Sequence, residues 1–292
     1  MLTRRELLAQ AVAVTACTPF LSFSPLFTQK KKGFSIGACD WSIGKRSDIE
    51  AFQVAKKIGL DGLMVDMGSL ENNLHLREAQ LQKSYLAASL KTGVKISSLA
   101  IGLLNDIPYK SDPRTIQWVR DSIDVAKNLG VSVILMPFFA KNDLRNDEPG
   151  KKEVIRRLKE VAPEAEKKGI ILGVESYLNA AEHLDIINAV GSKSVKIYMD
   201  FRNTADAGFD VLKEARLMGK ENICELHMKE NGDLLSRSTL PWEKIRDWIY
   251  EIDYYGDGWM QIEGAIPKNG DVVKSYQSNL QFLRSLFNKT SS

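Results

Sequence analysis

The chain has 292 residues, 44% of them hydrophobic and 26% charged, with 20 Gly and only 9 Pro, which excludes a disordered or fibrous chain and leaves room for one large α/β domain. The formal charge is +3, but residues 1–32 hold five basic side chains and one acidic, a net +4, so the remaining body carries −1. A near-neutral body offers neither a nucleic-acid footprint nor a polyanion-binding face.

The chain opens with "MLTRRELLAQAVAVTAC", in which Arg4-Arg5 precede a weakly apolar stretch, Leu7 to Ala16, broken by Gln10 and Thr15. That stretch is too short and too polar for a mature transmembrane span. It resembles a twin-arginine export signal, so residues 1–32 are expected to be a signal peptide and linker. Residues 33–292 are then an exported catalytic domain, destined for the periplasm. Val14-Thr15-Ala16-Cys17 also resembles a lipobox, which would make Cys17 a lipid anchor; the alternative is a small residue in a discarded peptide. Only Cys39 and Cys224 follow, with no CxxC, so neither a disulfide framework nor a cysteine zinc site is expected.

From residue 33 onward, apolar β-branched runs alternate with amphipathic stretches. "FSIGACD" (34–40) reads as a strand, followed by a helix from Ser47 to Ile58. "GLMVDM" (62–67) is a second strand, with a helix over 76–92. "VKISSLAI" (94–101) is a third, and its helix opens after "SDP" at 111–113, where Pro113 suits a first turn. "VSVILMPFF" (131–139) precedes a charged helix at 151–168, and "IILGVES" (170–176) precedes one at 180–190. "SVKIYMD" (194–200) is followed by a single helix over 205–218. "NICELHM" (222–228) leads to a helix at 242–252, and "GWMQIE" (258–263) to a final one at 271–287. Glycines at 59, 93, 130, 169, 191 and 219 recur just past these helix ends.

Eight strand–helix pairs in about 255 residues predict an α/β fold, a single-domain (β/α)₈ TIM barrel. A doubly wound open sheet is the runner-up. It would want a Gly-rich phosphate turn after the first strand, and "CDWSIGKRSD" contains neither GxGxxG nor GxxxxGK.

In such a barrel, polar residues at the carboxyl ends of strands face a common mouth. Strands five to eight end on Glu175, Asp200, His227 and Glu263, at intervals of 25, 27 and 36 residues, one βα unit each. Three carboxylates crowded together would repel and take up protons unless a cation sat among them. Hard oxygen donors with one imidazole suit Mn²⁺, Mg²⁺ or Co²⁺, and Zn²⁺ is compatible. Taken singly, each strand-end carboxylate also has a bland reading, as a helix N-cap or an ion-pair partner. Four in phase favour a shared metal site.

The stretches "GVES", "MDFRN", "LHMKE" and "YYGDGWMQIEG" resemble the xylose isomerase-like TIM barrels, the sugar isomerase/epimerase superfamily, over residues 33–288. The resemblance implies that Glu175, Asp200, His227 and Glu263 ligate a divalent metal and that Glu175 and Glu263 also act as acid and base. It further implies a carbohydrate substrate and a homodimer. Two departures bear on the substrate. Asn203 stands where many members place a histidine after the strand-six Asp, and "LLSRSTLPWEKI" replaces a glycine-rich turn.

A metal site of this kind can bind a carbonyl oxygen and the adjacent hydroxyl of a keto-sugar, aldose or related polyol, easing removal of the α proton to an enediolate. Returning the proton on the other face epimerises; returning it at the neighbouring carbon isomerises. Lys229, Asn203, Tyr177, Trp41 and Asp66 are candidate substrate contacts, Lys229 with a rim salt bridge and Trp41 with a core or wall role as alternatives. Cys39 reads as a small buried thiol, Arg237 as an exposed loop residue, and His75 and His183 as structural. Two rivals have other chemistry: an exported carbohydrate-binding barrel without turnover, which would not need paired bases, and a polyol lyase or dehydratase. An endonuclease at abasic DNA sites would need three zinc ions and more histidines than the three present.

Overall fold

In the computed structural model, which describes residues 34–254 and 258–288, the apolar runs form parallel strands and the amphipathic stretches pack outside them. The strands are β1 (Ser35–Cys39), β2 (Gly62–Asp66), β3 (Lys95–Ala100), β4 (Val133–Phe138), β5 (Ile171–Ser176), β6 (Val195–Asp200), β7 (Ile223–Lys229) and β8 (Trp259–Glu263). Each pairs with its sequence neighbour, and β8 returns to β1 through Ser35↔Trp259 to Ala38↔Ile262, closing the barrel. No helix among the described residues is long and apolar enough to cross a membrane. The expected export signal and Cys17 lie outside the described residues.

The helices are α1 (Ala51–Ile58), α2 (Ala79–Thr92), α3 (Arg114–Leu129), α4 (Glu148–Lys168), α5 (Ala180–Val190), α6 (Phe201–Asp206), α7 (Val211–Met218), α8 (Trp242–Glu251) and α9 (Val272–Asn288). The single helix expected over 205–218 is two. Gly208, at φ +88°, interrupts the chain, and the Asp210 side chain then accepts from the Leu212 and Lys213 N–H groups to start α7. α1 and α2 each begin three or four residues later than their sequence pattern suggests, α2 behind a 3₁₀ turn at His75–Arg77. α4 begins earlier, at Glu148, because Asp147 caps it by accepting from the Gly150 N–H. Gly169 ends α4 at φ +70°, its N–H bonded to the Ala165 and Glu166 carbonyls, a conformation that a Cβ would strain.

Two regions of packing result. Outside the barrel, residues such as Phe52, Val119, Leu158, Phe201 and Trp248 fill the space between strands and helices, each worth ~1.5–3 kcal/mol of burial. Inside, the middle of the barrel carries polar side chains. Gln261 Nε2 donates to Glu225 Oε1 at 3.0 Å, and burial pushes the Glu225 carboxyl up to about 7. Gly37 leaves room for this layer, since a Cβ there would lie 2.3 Å from Gln261 Oε1. Strand alternation then directs Cys39, His227 and Glu263, each two residues further on, toward the carboxyl-end mouth.

Candidate metal centre and active site

Strand register assembles the site. Asp200 is opposite His227 in the β6–β7 pairing, and Lys229 is opposite Glu263 in β7–β8. Glu175 comes from β5, opposite Pro137 of β4. A ligand atom from each of Glu175, Asp200, His227 and Glu263 lies within 4.8 Å of all the others. His227 Nδ1 faces the three acids, at 3.0 Å from Glu175 Oε1, 3.6 Å from Asp200 Oδ2 and 3.5 Å from Glu263 Oε2.

Asp200 has two jobs, one for each oxygen. Its Oδ1 accepts from the Asn203 N–H at 2.8 Å and caps α6. Its Oδ2 is buried without a hydrogen-bond partner and points into the cluster, where the nearest cations are His227 Nδ1 at 3.6 Å and Lys229 Nζ at 3.7 Å. A buried carboxylate oxygen left unbonded is costly, and a cation at this point would satisfy it.

The electrostatics are those of three acids balanced by two bases. Burial pushes the Glu175 carboxyl up to about 7 against the pull of His227. Burial also opposes charge on Glu263, but Lys229 and His227 outweigh it and hold that carboxyl down at about 2. Burial disfavours the His227 cation, yet Glu175 and Glu263 together keep the ring well above the usual histidine range. Three carboxylates and one imidazole, mutually within 4.8 Å, fit a divalent cation held at roughly 2.0–2.6 Å by each donor. These four residues could hold the ion.

The other expected site residues divide into two groups. Lys229 joins the cluster at 2.9 Å from Glu263 Oε2. Asn203, almost wholly buried, donates from Nδ2 to Glu175 Oε1 at 3.1 Å while its Oδ1 is unpartnered. Trp41 donates from Nε1 to Glu263 Oε1 at 2.8 Å, so its indole holds a carboxylate as well as forming wall. Tyr177 is half-buried, packed edge-on to Phe139 and beneath the Arg145 guanidinium. Asp66 is not brought to the cluster. It is fully buried, Oδ1 accepts from the Gly68 N–H, and its own N–H donates to Asp40 Oδ2.

His75 packs against Tyr85, and the loop residue Arg237 pairs with Asp233 at the surface. His183 is buried and bonded to Ser176 Oγ at 2.9 Å, beside the strand end that carries Glu175; burial holds its pKa down to about 4, so the ring is neutral. Two contacts escape a reading of strand ends. One is the Trp41–Glu263 bond. The other is Cys39, whose Sγ lies 3.4 Å from His227 Nε2. Alternation along β1 points Cys39 into the barrel and was the available signal, but only ring closure reveals which side chain it meets.

A curated protein, 2-epi-5-epi-valiolone 7-phosphate 2-epimerase from an Actinoplanes species, is 27% identical over 196 residues, covering 67% of this chain and 72% of that protein. Among solved structures, D-psicose 3-epimerase from Clostridium cellulolyticum H10 superposes with a TM-score of 0.74 at 17% identity, covering 87% of this chain and 99% of the other. The 3-keto-D-glucoside 4-epimerase of E. coli gives 0.69 at 18% identity, covering 87% and 100%. At these identities the structural likenesses speak to the fold. Residues 52–286 match the family described as xylose isomerase-like TIM barrel, and with the closed eight-stranded barrel and its strand-end cluster in place, the chain belongs to that family.

Proposed function

We propose that the protein is an isomerase-type enzyme, a divalent-metal-dependent sugar epimerase or isomerase that moves a proton at the carbon next to a carbonyl. The substrate class is a keto-sugar, an aldose or a related polyol, in keeping with the names of the relatives. The observation that carries the reading is the placement of Glu175 and Glu263 on strands three apart, both within 3.5 Å of His227 Nδ1. A bound divalent cation would supply electrophilic stabilisation of the negative charge that grows on the substrate oxygens.

The chain's own residues account for the proton. Glu263, held ionised by Lys229 and His227, takes it from one face of the substrate; the C–H electron pair moves into the carbon–carbon bond beside the carbonyl, the carbonyl π pair moves onto oxygen, and an enediolate results. Glu175, whose carboxyl burial keeps protonatable near neutral pH, returns a proton to the opposite face and inverts the centre, or delivers it to the neighbouring carbon and isomerises; the reverse reaction exchanges the two roles. Trp41 fixes the Glu263 carboxylate through Oε1, and Asn203 fixes Glu175 through Oε1. Lys229 lies beside Glu263 and Asp200, where its ammonium can donate to a developing oxyanion.

Incubation with a panel of keto-sugars and keto-glycosides in D₂O with Mn²⁺ tests this. Deuterium entering the carbon next to the carbonyl supports the reading. Confirmed metal binding with no exchange in any member would instead favour a binding protein without turnover. On the same reading residues 1–32 are a twin-arginine-type export signal, supported by Arg4-Arg5 ahead of the apolar stretch. The mass of the mature N-terminus after expression in a host with that export pathway tests the assignment.

A further inference from the structure

The two ring nitrogens of His227 meet different surroundings. Nδ1 faces Glu175, Asp200 and Glu263, whereas Nε2 faces Cys39 Sγ at 3.4 Å. Both residues are 0% exposed, so bulk water is not at hand for Nε2. An imidazole that offers Nδ1 to a cation carries its proton on Nε2, and a buried N–H needs an acceptor. Histidines that bind metals almost always place that proton on a carboxylate, a carbonyl or a water.

We propose that the sulfur of Cys39 takes that place: Cys39 is a positioning residue that fixes the tautomer and ring angle of His227 for metal binding. The proposal rests on the metal-dependent reading given above. The thiol has its own outlet, because Cys39 Sγ lies 4.0 Å from Met64 Sδ and donates its S–H there, leaving sulfur lone pairs to accept from Nε2. Tyr198 packs on the imidazole with ring centroids 4.6 Å apart and an interplanar angle of 56°. That contact restrains the plane of the ring but does not choose between its two tautomers. Sulfur is a weak acceptor, so it orients the imidazole without making it as basic as a carboxylate partner would.

Two substitutions separate this role from packing. Cys39→Val keeps a buried apolar side chain and removes the acceptor; Cys39→Ser supplies a hydroxyl acceptor at some cost in apolar packing. A packing role ranks Val at or above Ser, and the positioning role ranks Ser above Val. The full chain, stripped of metal, is titrated with Mn²⁺ by calorimetry, and melting of each variant confirms that it folds. Val is expected to weaken Mn²⁺ binding ~10–100-fold, with Ser recovering most of the loss. Wild-type affinity in Val, or Ser no tighter than Val, overturns the role of Cys39 while leaving the metal reading intact. If the wild-type protein binds no Mn²⁺, the metal reading fails and this proposal with it.

A second readout needs no variant at position 39. In Zn²⁺-loaded protein labelled with ¹⁵N-histidine, His227 is expected to show a protonated Nε2 and a metal-shifted Nδ1. The opposite pattern overturns the proposal even if a variant fails to fold.

Discussion

Lys229 Nζ lies 2.9 Å from Glu263 Oε2, closer than the imidazole of His227 at 3.5 Å. The lysine is thus the nearer counter-charge for Glu263, and in metal-free protein it balances acids that burial would otherwise leave exposed to one another. Lys229→Met removes one partner of a nearly buried pair, a change that costs ~3–5 kcal/mol. The metal-free variant should melt roughly 5–15 °C below wild type. Saturating Mn²⁺ should shrink that deficit, because a divalent cation replaces the missing charge. Scanning fluorimetry with chelator and with Mn²⁺ measures both; an equal deficit in the two conditions would show that Lys229 contributes through packing alone.

Glu263→Gln keeps an oxygen for the Trp41 N–H and removes the carboxyl that the proposed mechanism uses to exchange a proton. Solvent deuterium incorporation should fall by ~10²–10⁴-fold with the fold unchanged by circular dichroism. Near-normal turnover in this variant would rule out the two-base assignment.

Asp200→Asn tests which of the two roles of Asp200 matters where. The amide oxygen can still accept from the Asn203 N–H and cap α6, so stability in chelator should change by less than ~1 kcal/mol. The second oxygen, buried and unpartnered in the cluster, is replaced by an NH₂ that cannot ligate. Mn²⁺ affinity should therefore drop sharply, as it should for His227→Ala. Unaltered metal stoichiometry in both variants would remove these residues from the site.

Asp40 and Asp66 form a second acidic pair, away from the four-residue cluster. Burial raises Asp66 to about 6 and, with Asp66 as neighbour, raises Asp40 well above the usual carboxylate range. A carboxyl whose folded pKa exceeds its unfolded value binds more protons in the native state. Its contribution to stability is fully present below the unfolded value of 3.8 and is lost as pH rises through about 6. Arg46 opposes the shift at both acids but does not cancel it. Asp40→Asn keeps an acceptor for the Ser47 and Asp66 N–H groups and removes one charge. Urea unfolding at pH 5 and pH 8 should show the variant gaining on wild type at the higher pH, because only wild type must ionise Asp40 in its buried setting. Parallel pH profiles for the two proteins would contradict this.

The barrel was legible because its strands are β-branched runs such as "SVILMPFF" and its helices are amphipathic, and these periods survive in any context. Helix starts were less so. The break between α6 and α7 depends on a capping aspartate, Asp210, whose signal is local and easily overlooked inside a helical pattern. The four cluster residues could be placed because each ends a strand and barrel topology brings adjacent strand ends together. Asp66 also ends a strand, but its Oδ1 turns back to accept from the Gly68 N–H and it does not join the four. Cys39 and His227 are 188 positions apart, and no local pattern announces their contact. Only closure of β8 onto β1 brings the first strand to the seventh's side of the mouth.

If Glu175, Asp200, His227 and Glu263 close around one divalent ion, anomalous diffraction from a crystal soaked in Mn²⁺ will reveal it. A single strong peak is expected among these four side chains, at roughly 2.0–2.6 Å from His227 Nδ1 and from an oxygen of each acid. A fully occupied peak elsewhere, or none at the mouth of the barrel at saturating Mn²⁺, would contradict it.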